Sequence, residues 1–89
     1  MIKKYCSCVR AVQNNGKHRK EIDKFVREIT DGKYYARKAT MTDSVWIVDA
    51  ISGFEVELCH FGWYIAEGND GKYKILSSDI FENIFEECK

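Results

Sequence analysis

Four cysteines in 89 residues are the side chains best equipped for chemistry in this chain. Cys6-Ser7-Cys8 sets two thiols two residues apart. On a strand that spacing puts both on one face, about 7 Å from each other. The separation suits two ligands of one tetrahedral zinc ion, whose bonds to thiolate sulfur are about 2.3 Å. Cys88 follows near the end of the last expected helix, about two turns beyond Phe81 on its buried side. Cys59 or His60 is the candidate for a fourth ligand; strand alternation makes it hard for both to serve. Four protein ligands leave no open position, so such a zinc would be structural. Two further readings stand beside this one. Free cysteine packs as a small buried hydrophobe, and disulfide or redox chemistry would call for an oxidising compartment. The spacing is not that of a Cys-x-x-Cys pair.

Other reactive groups are sparse. His18 and His60 are the only histidines, and the chain carries no phosphate-binding glycine loop, no His-Glu-x-x-His and no nucleophile elbow. A non-enzymatic protein is therefore expected. Fourteen basic and fourteen acidic residues cancel, which argues against direct nucleic-acid binding and against acidic DNA mimicry. The cancellation hides an asymmetry, because residues 1–40 hold eleven Lys/Arg and four Asp/Glu while residues 41–89 hold three and ten. Either the surface is bipolar and steers a charged partner, or segments from the two halves interleave and their charges mix. Arg19, Lys20, Lys24 and Arg27 share the outer face of one expected helix and are candidate partner-binding residues. Trp63 and Tyr64, in the dense aromatic stretch Phe61-Gly62-Trp63-Tyr64, are candidate contact anchors.

The elements that must position these residues follow from periodicity. Lys3–Gln13 alternates as a strand, and Asn14-Asn15-Gly16 breaks it. Ile22, Phe25, Val26 and Ile29 form the apolar stripe of a helix running from Lys17 to about Thr30, with Asp23 and Arg27 spaced for an ion pair. Asp31-Gly32 stops it. Strands are expected at 33–40, 44–50, 54–59, 63–67 and 72–76. In the third of these, Phe54, Val56 and Leu58 alternate with Glu55, Glu57 and Cys59. Asp70-Gly71 marks a hairpin. Ser77-Ser78-Asp79 opens a final helix with Asp79 and Glu82 at capping-box spacing and Ile80, Phe81, Ile84 and Phe85 as its buried stripe. The order β-α-β-β-β-β-β-α predicts a single α+β domain over 1–89, a curled and mostly antiparallel sheet with two amphipathic helices. No apolar run approaches the roughly 18 residues of a membrane span and no apolar leader opens the chain, so a cytoplasmic protein without membrane contact is expected.

Three pieces together resemble a family of small phage and prophage proteins marked by a Pro-Gly-Asp-Tyr-Gly signature. They are Lys3-Lys4 with Val9-Arg10-Ala11-Val12-Gln13; Glu21-Ile22-Asp23-Lys24-Phe25-Val26; and Gly62-Trp63-Tyr64-Ile65-Ala66 with Asp70-Gly71-Lys72-Tyr73 and Asp79–Glu86. The family's Pro-Gly-Asp is replaced here by Phe61-Gly62-Trp63, and the cysteines are not part of its pattern. The resemblance implies a phage accessory protein acting by binding. In that setting the size and the lack of catalytic motifs lead to the expectation of a host-defence inhibitor, specifically an anti-CRISPR protein docking on a Cas9-type nuclease. The alternatives are a sponge that sequesters a nucleotide signal in an aromatic pocket with Arg or Lys, and a small nucleic-acid-binding accessory protein using the basic helix.

Overall fold

Turn chemistry and period set out most of the elements. A computed structural model of the chain describes residues 2–5, 9–68 and 71–84. In chain order these form β1 (Ile2–Tyr5), β2 (Val9–Gln13), α1 (Arg19–Ile29), β3 (Tyr34–Lys38), β4 (Val45–Asp49), β5 (Glu55–Cys59), β6 (Tyr64–Glu67), β7 (Tyr73–Leu76) and α2 (Ser78–Ile84). The fold is α+β, with a four-stranded sheet ordered β1-β2-β6-β7 and a three-stranded sheet ordered β3-β4-β5. Every strand pairing is antiparallel. No helix among the described residues is long and apolar enough to cross a membrane.

The expected strand over Lys3–Gln13 is corrected to two strands. Ile2 pairs with Val12 and Tyr5 with Val9, so the chain reverses between them. A straight eleven-residue strand would be about 36 Å long, against 37 Å for the longest dimension of the whole molecule. Folding it back returns Ile2 to the core it packs against.

The interior has two parts. Val12 and Ile65 from the four-stranded sheet meet Val45, Ile47 and Cys59 from the three-stranded one, with Ile22, Phe25, Val26 and Ile29 of α1 closing the cluster. Alternation turns the neighbours of Val12 and Ile65 to the opposite face, where Ala11, Tyr64 and Ala66 are covered by Phe81 of α2. The four-stranded sheet is thus buried on both faces.

α1 also seals one open side of the sandwich. Its Glu21 carboxylate accepts the Ile2 N–H at 2.8 Å, and Asp23 accepts the Ala36 N–H at 2.9 Å. Edge strands β1 and β3 therefore find partners on the same helix, which blunts both edges. Asp23 simultaneously makes the expected pair with Arg27, at 3.0 Å. Arg10 adds a second tie, gripping Glu67 of β6 at 3.0 Å and Glu28 of α1 at 2.9 Å. Those two hydrogen bonds raise the guanidinium's affinity for its proton, and the Glu67 carboxyl is held below its ordinary range chiefly by the same bond.

Charges from the two halves of the chain mix in space: Arg10–Glu67, Arg19–Asp43 and Arg37–Glu55 all cross the division. The cap of α2 also differs from expectation. Ser77, not Asp79, precedes the first turn; its hydroxyl accepts the Ile80 N–H at 3.4 Å and its carbonyl the Phe81 N–H at 2.9 Å. Of the expected buried stripe, Phe81 is fully buried, Ile80 is exposed, and Phe85 lies outside the described residues.

Candidate interaction surface

The three-stranded sheet has one covered face. Val45 and Ile47 point into the core opposite Cys59 and Glu57, which leaves Trp46 opposite Leu58 and Arg37 on the outer face. The register skips one residue between Ile47 and Val48, where Val56 bulges from β5. Cys59 is wholly buried, whereas Phe54 is 74% and Val56 51% exposed. Ile51, in the β4–β5 turn, is 97% exposed. That turn is rigid: the Asp49 carboxylate accepts the N–H groups of Ile51 and Ser52, both at 2.9 Å, and these bonds hold its carboxyl below the usual range. Val48, on the same face, is wholly buried, so the exposed apolar part is confined to Val56 and the β4–β5 turn. An apolar patch held out by a fixed turn marks a contact surface.

The basic helix adjoins it. The Arg27 guanidinium lies over the Tyr35 ring, 5.0 Å from its centre, and Tyr35 sits beside Val48 on the outer rows of the sheet. Lys20 and Lys24 are exposed on α1 and make no ion pair among the described residues. Arg19 is partly engaged by Asp43, at 3.6 Å. Of the four cations read from sequence, Arg27 reaches the outer face of the sheet through Tyr35. Alternation along β5 does not say which of its two faces turns inward; the burial of Cys59 does.

The aromatic stretch divides among three roles. Tyr64 is buried, stacked on Phe81 at 4.0 Å and 11° between ring planes, with its hydroxyl donating to Glu82 at 3.3 Å. Trp63 is half-buried against the core and meets the His60 ring edge-on at 4.7 Å. Phe61, 59% exposed, is the outward member.

Of the expected zinc ligands, Cys59 and His60 fall among the described residues. Asn14 donates to the Cys59 carbonyl at 3.2 Å, which fixes that cysteine at the far end of β2. Burial, and secondarily the Glu57 charge, pushes the Cys59 thiol up to about 12. Among the described residues no group of three His, Cys, Asp or Glu could hold a metal. Cys6, Cys8 and Cys88 lie outside those residues. Metal analysis is expected to give the same content for Cys59→Val as for the parent protein, and less for Cys6→Ser. Native Cys59 should resist alkylation below pH 9. A drop in metal on Cys59→Val would overturn this assignment.

No protein-family model, curated protein or solved structure matches the chain.

Proposed function

We propose that this chain is a non-catalytic protein-binding module that docks through the outer face of its three-stranded sheet. The supporting observation is the exposure of Ile51, Phe54 and Val56, at and beside a turn fixed by the Asp49 carboxylate. Apolar anchors at the β4–β5 turn, together with Lys20 and Lys24 exposed on α1, fit a protein surface that presents a hydrophobic pocket and carboxylates. The phage setting comes from the sequence resemblance. Within it the proposed role is inhibition of a host defence system, with a Cas9-type nuclease as the specific target and the host cytoplasm as the place of action.

The reading is tested by titrating the protein against the purified nuclease by calorimetry. Phe54→Ser combined with Val56→Ser is expected to weaken binding at least a hundredfold with far-UV circular dichroism unchanged, because both side chains already face solvent. Lys20→Glu with Lys24→Glu should weaken it about tenfold and reduce its salt sensitivity. Loss of binding on neither substitution rejects this face, and absence of binding by the parent protein rejects the target.

A further inference from the structure

Where β3 and β7 begin, a cavity of about 310 Å³ opens between residues of the two sheets. Tyr34 of β3 and Glu57 of β5 line it from the three-stranded sheet, and Tyr73 of β7 from the four-stranded one. Lys33 and Lys72, the residues leading into β3 and β7, complete the wall. Glu57 stands opposite Ile47, in a row that feeds the core, yet it is exposed. Its partner is the Tyr73 hydroxyl, which donates to it at 3.2 Å. An apolar side chain there would extend the core; a carboxylate keeps the space polar and open.

We infer that this cavity binds a free guanine mononucleotide, with the base against the tyrosines, its Watson–Crick edge on Glu57 and its phosphate at Lys33 and Lys72. Size is the first support. The volume stands at the lower end of the range of about 300–1,000 Å³ typical of small-molecule sites, room for a single nucleotide. Charge is the second. Two ammonium groups against one carboxylate favour a ligand that is an anion overall and still offers a donor to the carboxylate.

The third is the match to one base. The Tyr34 and Tyr73 rings meet edge to face, 5.3 Å between centroids and 77° between planes. Such a corner gives a planar base one ring to stack on and a second to meet at its edge. Burial, and then the Glu57 charge, tightens the hold of the Tyr73 phenol on its proton, so Tyr73 remains the donor of that pair. The other lone pairs of the carboxylate only accept. Guanine presents two adjacent donors to them, N1–H and the N2 amine, and both bonds are charge-assisted. Adenine and cytosine set one amine donor beside a ring acceptor, which a carboxylate oxygen repels. Uracil sets one donor between two carbonyls.

The backbone under both lysines is already fixed. The Lys33 N–H donates to the Thr30 carbonyl at 3.1 Å, and its own carbonyl accepts from Ala50 at 3.0 Å. The Lys72 carbonyl accepts the Gly68 N–H at 2.7 Å. Only glycine permits that approach, since a Cβ at position 68 would lie 2.6 Å from the same oxygen. A wall in place before the ligand arrives lowers the ordering cost of binding. None of the lining residues belongs to the exposed patch of Ile51, Phe54 and Val56, so the cavity is independent of the docking surface.

Isothermal calorimetry with GMP, AMP, CMP, UMP and guanosine tests the site. GMP is expected to bind at least tenfold more tightly than the other three nucleotides, and at least tenfold more tightly than guanosine. Glu57→Gln sets an amide donor beside an acceptor; it should cut GMP affinity at least tenfold and turn the preference toward AMP. Lys33→Ala combined with Lys72→Ala should bring GMP down to the level of guanosine and leave guanosine unchanged. All three positions are exposed, and circular dichroism checks that each variant folds. Should a variant fail to fold, the parent's ranking of the five ligands still decides. An RNA oligomer opening on a 5′-phosphorylated guanosine should bind no more tightly than GMP. Absence of GMP binding at millimolar concentration overturns the inference. So does AMP binding as tightly as GMP, a Glu57→Gln variant that binds GMP like the parent, or RNA binding tenfold more tightly than GMP.

Discussion

Asn14→Asp is expected to be the most damaging conservative substitution in this protein, removing about 3–5 kcal/mol of stability at neutral pH. The side chain is 1% exposed. Its amide nitrogen donates to three carbonyl oxygens, those of Asp43 at 2.8 Å, Cys59 at 3.2 Å and His60 at 3.4 Å. Its backbone N–H reaches the Trp63 carbonyl at 2.8 Å, and its carbonyl accepts from Gly62 at 2.7 Å. One residue therefore clamps the end of β2, the β3–β4 loop and the β5–β6 turn. Aspartate keeps the shape but replaces the donor with a carboxylate facing three oxygens in a dry pocket. Burial favours its neutral form, so the loss should shrink as pH falls and the carboxyl takes up a proton. Asn14→Ala, which strands the same carbonyls without adding a charge, should cost about 1–3 kcal/mol. Urea denaturation at pH 7 and pH 4 measures both. An aspartate variant as stable as the parent at pH 7 would show that the clamp contributes little.

Phe81→Ala should cost about 3–5 kcal/mol, in the range of other fully buried phenylalanines. The ring is 0% exposed and stacks on Tyr64, with Ala11 and Ala66 below. α2 has seven described residues, and helices this short are not stable in isolation. Its docking rests on this anchor, and without it the outer face of the four-stranded sheet loses its cover. The urea midpoint should fall and amide exchange at Ala11 and Ala66 should accelerate. A loss below about 1 kcal/mol would locate the attachment of α2 elsewhere.

Much of this architecture was legible in the chain because local chemistry and tertiary role coincide. The stripe of Ile22, Phe25, Val26 and Ile29 is buried as its period demands, and Asp23 pairs with Arg27 as its spacing demands. Strands flank Asp70-Gly71 on both sides. The failures have physical causes. The reversal between Tyr5 and Val9 carries none of the glycine, proline, asparagine or aspartate that usually announces a turn. The bulge at Val56 is a register event between two strands, invisible to a period counted along one. Asn14 announces a loop but not its three distant acceptors. Glu21 and Asp23 read as solvent-facing helix residues, since nothing local foretells that sheet edges will arrive beside them. The candidate interface was half legible: the cations of α1 show in the sequence, and which face of β5 turns inward does not.

The interleaved order of the two sheets also sets how each can assemble. β3, β4 and β5 are consecutive, joined by short turns, and α1 directly precedes them, so that unit is completed from one contiguous stretch. The four-stranded sheet is split around it. Pairing Gln13 with Tyr64 closes a loop of about fifty residues, at an entropic cost that falls sharply once the intervening unit is already folded. The inserted unit thus acts as an internal template: it brings two remote hairpins, β1–β2 and β6–β7, within reach of each other.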